Sequence, residues 1–245
     1  MRLGIASPEQ SSRLVEKLTD PEIFNWGNRP MTSLAMTEPD YVEATGPYDG
    51  RAWFGDIWTM RNLPVIFGLR DTGHHELASE LSWWTIEAFN DNYCEYVVPT
   101  TRSGEGVQRY GWSASQYIQT MVEHIFGVDV DLIEGRLRIF PHLPQRLYGQ
   151  IISLKDLQIP GGKDCQLDLT VEKSAAGNME VKADFSGKPP EAALEIIMAR
   201  EGDEGIEASM SKGRRLKVEA IEDLTNAVGI RWRRVESISV RFESQ

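Results

Sequence analysis

"YDGRAWFGDIWTMRNLPVIFGLRDTGHHELASEL", residues 48–81, decides the fold of the N-terminal half. It predicts two helices joined at a glycine. The first spans about Asp56 to Leu69, with Asp56 near its start, where an acid complements the helix dipole. Pro64 inside it either kinks the helix or marks its true beginning. Gly73 is a stop. A second helix then runs from about His75 to Asn90, where Leu77, Leu81, Trp84 and Ala88 make one apolar stripe. Trp83 and Trp84 are adjacent and cannot both face the same core.

Upstream, "SPEQ" (7–10) opens another helix: Ser7 as N-cap, Pro8 in the first turn and Gln10 closing a capping box. Leu14, Val15 and Leu18 give it an apolar face. Between it and Asp56 lies an irregular stretch, about Pro21 to Gly55, rich in Pro, Gly, Asn, Thr and aromatic residues. A connection that long implies function, or an extended segment wrapping a site. Downstream, a fourth helix runs from about Trp112 to Phe126, with Tyr117, Met121 and Ile125 stacked on one face and Gly127 as its stop. The third and fourth helices are joined by "YCEYVVPTTRSGEG" (93–106), longer than the ~2–8 residues usual between helices and unusually rich in acids and tyrosines.

Past Val128 the period changes to two. "DLIEGRLRI" (131–139) reads as a tight hairpin turning at Glu134-Gly135. Leu167-Leu169-Val171, Met179-Val181-Ala183-Phe185, Leu216-Val218-Ala220, Val228-Ile230-Trp232 and Ile238-Val240-Phe242 alternate with polar partners. "AAGN", "GKPP" and "KGRR" punctuate them as turns. Such spacing predicts an antiparallel β-sandwich.

The 245 residues are 41% hydrophobic and 26% charged, with a net charge of −11. That is globular composition with a surface that repels a phosphate backbone, so no nucleic acid is expected as partner. "KGRR" and "RWRR" each lie beside a strand-like run and read as solvated strand faces or turns. No apolar run approaches the ~20 residues of a membrane span. The opening "MRLGIASPEQ" has no apolar signal core, so the expected location is the cytoplasm. Cys94 and Cys165 form no metal or redox pattern. His74-His75 are adjacent and do not converge as i, i+4 ligands do. They, His124 and His142 read as structural, so neither metal nor cofactor is expected.

The stretch 48–81 resembles a motif of the (α/α)6-toroid glycoside hydrolases, W-x-G-x-x-W-x(3)-N, then G-L, then G-x-x-x-L-A. The matching positions are Trp53, Gly55, Trp58, Asn62, Gly68, Leu69, Gly73, Leu77 and Ala78. A second block, E-Y-x-x-P followed by G-E-G, matches at Glu95, Tyr96, Pro99 and Gly104-Glu105-Gly106. A third, W-[ST]-A, matches at Trp112-Ser113-Ala114. Together they cover about Pro30 to Gly127. The nearest likeness is to enzymes around glycoside hydrolase family 63, the mannosylglycerate-hydrolase-like enzymes and processing α-glucosidases. "GRLRIFPHLP" (135–144) is a looser match, to the sandwich that follows the toroid in several of these families.

The resemblance implies Glu95 as the general base of an inverting hydrolysis of α-linked glucosyl or mannosyl bonds. It implies Trp53, Trp58, Tyr93 and Tyr96 as sugar-facing walls, since flat apolar faces suit sugar rings. Trp112, and Glu105 as a loop-supporting acid, complete the candidate set. An inverting pair needs a second, protonated carboxyl ~6.5–9.5 Å away. In the family that acid is an Asp from the first half of the toroid, and no segment here matches its motif. Twelve helices need roughly 200 residues, whereas residues 1–127 hold four.

The expectation is therefore the C-terminal part of a toroid catalytic domain over 1–127 and a β-sandwich domain over 128–245, with carbohydrate as ligand. The open apolar helix faces call for self-association or a partner chain. Phe54, Asp56, Val97 and Val98 depart from the family, which often has Arg, Pro and an aromatic-Asp pair at those places. A non-catalytic carbohydrate-binding or remnant module is the alternative, and Glu95 as a solvated loop acid is the plainest reading of that residue alone.

Overall fold

The computed structural model describes residues 6–27, 29–46, 49–91, 93–200, 205–210, 214–222 and 224–244. Tyr48 of the motif stretch, Met1–Ile5 of the opening, and Lys212 and Gly213 of the "KGRR" turn lie outside them. The chain divides into two compact units, residues 1–121 and 122–245.

The first unit is helical. Helix α1 is Pro8–Leu18, opened by the expected capping box: the Ser7 side chain takes the Gln10 N–H and the Gln10 side chain takes the Ser7 N–H. A short α2, Pro21–Phe24, follows inside the stretch that reads as irregular, with the Asp20 carboxylate accepting the Glu22 N–H. Helix α3 is Thr59–Asp71. It starts three residues later than the sequence suggests. Pro64 lies inside it, so it marks no start. Lacking an N–H, it leaves the Met60 carbonyl without its helical donor. The helix ends at Gly73, whose φ of +80° allows the left-handed turn that lets the His74 N–H reach the Leu69 carbonyl.

Helix α4, His75–Phe89, packs on α3. Leu18, Met31, Ile66, Leu69, Ala78 and Leu81 form their shared core, with Trp84 and Trp26 packed edge-on at its rim, ring centroids 5.2 Å apart. Of the adjacent pair, Trp84 thus takes the core. Each fully buried side chain of Leu or Ile size contributes ~1.5–3 kcal/mol, which is what fixes this helix pair. Helix α5, Gly111–Gln119, is shorter than the periodicity implies, because the chain widens to a π-helix over Thr120–Ile125. Among the described residues no helix is long and apolar enough to cross a membrane.

The linker between α4 and α5 forms a two-stranded ribbon, β1 (Tyr96–Val97) against β2 (Gly104–Glu105). Ile57 joins it by an isolated bridge to Val97.

The second unit is a sandwich-like pair of sheets. Its strands are β3 (Val128–Asp131), β4 (Arg136–Ile139), β5 (Ile151–Gln158), β6 (Lys163–Lys173), β7 (Met179–Lys188), β8 (Ala193–Ala199), β9 (Ile206–Met210), β10 (Arg215–Leu216), β11 (Glu219–Ala220), β12 (Ala227–Trp232) and β13 (Ile238–Ser244). One sheet runs β10-β9-β13-β7-β6-β5, the other β11-β12-β8-β4-β3. The run around Leu216–Ala220 is therefore not one strand but two short ones in different sheets. Pairing is antiparallel except between β4 and β8. Those two are separated in the chain by β5, β6 and β7 of the other sheet, and such a crossover is what a parallel pair requires. The β3–β4 hairpin turns where expected, with Gly135 at φ +62° and the Asp131 carboxylate accepting the Ile133 and Glu134 N–H groups.

Candidate active site

The motif residues of the first unit explain one another. Asn62, on the first turns of α3, receives the Met31 N–H on its Oδ1 and donates from Nδ2 to the Met31 and Trp58 carbonyls. It pins the extended segment upstream to the helix. Further along that segment the Val42 N–H donates to the Phe54 carbonyl and the Ser33 N–H to the Asp56 carbonyl. A Cβ on Gly55 would stand 2.4 Å from the Val42 carbonyl oxygen. The motif glycine is there because another backbone crosses directly over it. Residues 31–44 are thus a strap laid along the helix start, whereas 21–55 as a whole is not extended: it also holds α2 and the 3₁₀ turn Gly50–Phe54.

On this frame stands an aromatic stack. Trp53 lies in the 3₁₀ turn Gly50–Phe54 and is 41% exposed. It stacks on the buried Trp58, centroids 3.9 Å apart at 12°. Trp58 donates its indole N–H to the Ala52 carbonyl and meets Tyr96 at 5.2 Å. Tyr96 donates its hydroxyl to the Gly46 carbonyl. The Arg61 guanidinium lies 5.7 Å from the Trp53 centroid, within cation–π range, and leaves the ring partly exposed.

Glu95 immediately precedes β1 and is half-buried. Its Oε2 accepts the Val107 N–H at 3.0 Å. Gly106 has φ +73°, and a Cβ there would lie 2.6 Å from that same Oε2 and 2.7 Å from the Tyr96 ring. The second glycine of G-E-G therefore leaves space for the carboxylate beside the tyrosine. Glu105 pairs across the ribbon with Tyr96 and accepts from the Ser103 hydroxyl at 3.0 Å. Glu95, Tyr96, Trp58 and Trp53 form a continuous series, with Glu105 at its edge. Tyr93 leans on Tyr117 of α5, and Trp112 leans on Tyr110. Those described ring contacts tie both to α5 rather than to the stack.

Asp56 departs furthest from its sequence reading. It caps nothing: α3 begins at Thr59, and its N-cap is Trp58, with no side-chain bond. Asp56 is fully buried, and both its oxygens accept the Ala44 N–H, at 3.3 and 3.1 Å. Burial pushes its pKa up to about 7. The Ala44 N–H opposes that shift, while Glu43, Asp49 and Glu105 add to it. Burial also raises Tyr96, and it pushes the Cys94 thiol up to about 11. Cys94 and Cys165 are both buried free thiols. Among the described residues no group of three or more metal-ligating side chains converges.

A half-buried glutamate thus stands near a tryptophan stack on a helical frame. Comparison with known proteins shows what this part of the chain resembles. Residues 1–113 match the model of the mannosylglycerate hydrolase MGH1-like glycoside hydrolase domain. The recognition implied by the three motif blocks stands: this part of the chain is glycoside hydrolase family 63-like in sequence. A mannosylglycerate hydrolase of Thermus thermophilus is 31% identical over 97 residues, covering 38% of this chain and 22% of the relative. The chain thus spans about a fifth of the length of that curated relative. A family 63 mannosylglycerate hydrolase from a second strain of Thermus thermophilus, solved in complex with glucose, is 25% identical with a TM-score of 0.40, covering 48% of this chain and 29% of that one. A structure described as a glycoside hydrolase covers 86% of this chain and 36% of its own, at 12% identity and a TM-score of 0.41. The fold assignment rests on the element order and strand pairing described above.

Proposed function

We propose that this chain is part of a glycoside hydrolase that cleaves α-linked glucosyl or mannosyl bonds with inversion. Residues 1–127 are read as the C-terminal part of an α/α-toroid catalytic domain and 128–245 as its β-sandwich domain. Glu95 is the general base. The observation that carries this reading is the single series from the Glu95 carboxylate through Tyr96 and Trp58 to the exposed face of Trp53. It runs from the carboxylate through two buried rings to one partly exposed ring, Trp53, against which a sugar can lie.

Trp53 faces the sugar; Trp58 and Tyr96, expected from the sequence as sugar-facing walls, are both buried and back it instead. Tyr93 and Trp112 wall the site from the α5 side, and Glu105 supports the ribbon. The general acid is supplied by the remaining helices of the toroid, which lie outside these 245 residues. Cytoplasmic location fits the two unpaired thiols.

Tryptophan-fluorescence titration of the full chain with methyl α-mannoside and methyl α-glucoside tests this role of Trp53. At least one sugar quenches the signal, and Trp53→Ala weakens binding about tenfold, ~1.4 kcal/mol. Equal affinity in the variant removes Trp53 from the site. Binding with no turnover in any assembly favours the non-catalytic module instead.

A further inference from the structure

On the Val97 and Cys94 side of the β1–β2 ribbon lies a cavity of about 300 Å³, walled by Arg29, Arg102, Trp84, Glu87 and Asp91. It belongs to none of the roles assigned above. We propose that it is a binding site for a small oxyanion, a carboxylate or phosphate monoester, whose body carries hydrogen-bond donors.

Three observations converge. First, Arg29 Nη1 is shut off from solvent and has no hydrogen-bond partner. A buried charged donor left unpaired is costly, and an oxyanion oxygen is its natural complement. Second, Arg102 is close enough that its charge, after burial, depresses Arg29. Both guanidinium groups line the one space, and an anion bridging them would offset their mutual repulsion. Arg102 is held there by a left-handed backbone, φ +62°, whose N–H is fixed to the Val98 carbonyl at 2.9 Å. Third, the acid whose charge acts on Arg29 is already engaged. Glu43 favours the charged form of Arg29, but its oxygens accept the Thr100 N–H, the Thr100 hydroxyl and the Tyr41 hydroxyl.

The Glu87 and Asp91 wall shapes the choice of ligand. Two carboxylates on that side repel a bare polyanion and accept bonds from hydroxyl or ammonium groups. The anionic end therefore belongs against Arg29 and Arg102, and the donor-bearing end points to Glu87 and Asp91. This assignment is independent of the role of Glu95, since it uses none of the residues of the aromatic stack.

Isothermal titration of the full chain at constant ionic strength tests it, with three probes: inorganic phosphate, lactate and glycerol 3-phosphate. Saturable binding of phosphate or lactate supports the site and tells which oxyanion it takes. Glycerol 3-phosphate binds more tightly than inorganic phosphate if the acidic wall reads donors. Arg102→Gln, at an exposed position, leaves circular dichroism unchanged and weakens binding about tenfold. Arg29→Lys keeps the charge but loses the fork and weakens it less than Arg29→Gln. Arg70→Gln, away from the cavity, has no effect. Absence of saturable binding by all three probes, or affinity unchanged in both Arg29→Gln and Arg102→Gln, overturns the proposal.

Discussion

Asp56 shows how a single residue's role depends on where a helix begins. Read from sequence, an acid before "WTMRN" is a cap. The helix in fact starts three residues on, because Trp58 turns inward to stack and Asn62 ties the first turn to Met31. That leaves the Asp56 carboxyl under the strap with one backbone donor, Ala44. Burial, which no local pattern encodes, then dominates its chemistry. Its folded pKa of about 7 lies above the ordinary aspartate value of 3.8. The folded state therefore holds this proton more firmly than the unfolded chain does. The stability it contributes is complete below the unfolded pKa and is lost as pH rises from about 4 through 7. The slope is at most ~1.4 kcal/mol per pH unit. Urea unfolding across that range should show this decline, and Asp56→Asn should flatten it while stabilising the chain at pH 8. Parallel pH profiles for the two proteins would remove Asp56 as the cause. Gly106 is more legible, since a glycine required by a left-handed turn leaves its mark in the sequence itself.

At the scale of elements, local chemistry was readable and burial on two sides was not. The α1 capping box and the β3–β4 hairpin follow from residues a few positions apart. Strand β8, "ALEIIMA", escapes a period-two reading because five successive residues, Leu194 to Met198, are buried, as in a central strand covered on both faces. Strand β5 escapes for the opposite reason: it is an edge strand that is mostly exposed, broken by a register shift between Leu154 and Leu157. The one charge inside β8 is Glu195, fully buried between Arg138, 2.6 Å away on β4, and Arg231 on β12, with which it also pairs. It ties three neighbouring strands together. Breaking a buried pair costs ~3–5 kcal/mol, and Arg231 is partly exposed, so Glu195→Ala should cost somewhat less, ~2–4 kcal/mol. Chemical denaturation followed by far-UV circular dichroism measures it. A change below ~0.5 kcal/mol, the range of ordinary surface substitutions, would mean that Glu195 is dispensable.

The whole molecule comprises two compact units, and the chain spans about a fifth of its curated relative's length. The change of period from helical to alternating falls at Val128 in the sequence, whereas the compact units divide at Val122, within the π-helical turn that no periodicity marks. Exposed Trp53, Phe54, Trp112 and Ile118 on the helical unit are apolar surface of the kind that partners cover. Size-exclusion with light scattering should therefore show self-association, or a stable complex once the remaining helices are supplied. A clean monomer that binds no apolar dye would contradict it. The central claim is that Glu95 is the base of an inverting glycosidase. It is tested most directly by following α-mannoside and α-glucoside hydrolysis by proton NMR, with the chain alone and with the remaining helices supplied. The chain alone should turn over barely or not at all. The completed enzyme should release the β-anomer first, and Glu95→Gln should lower its rate ~10²–10⁴-fold with folding intact. Full turnover by the chain alone, release of the α-anomer, or an unaffected Glu95→Gln enzyme would contradict the account.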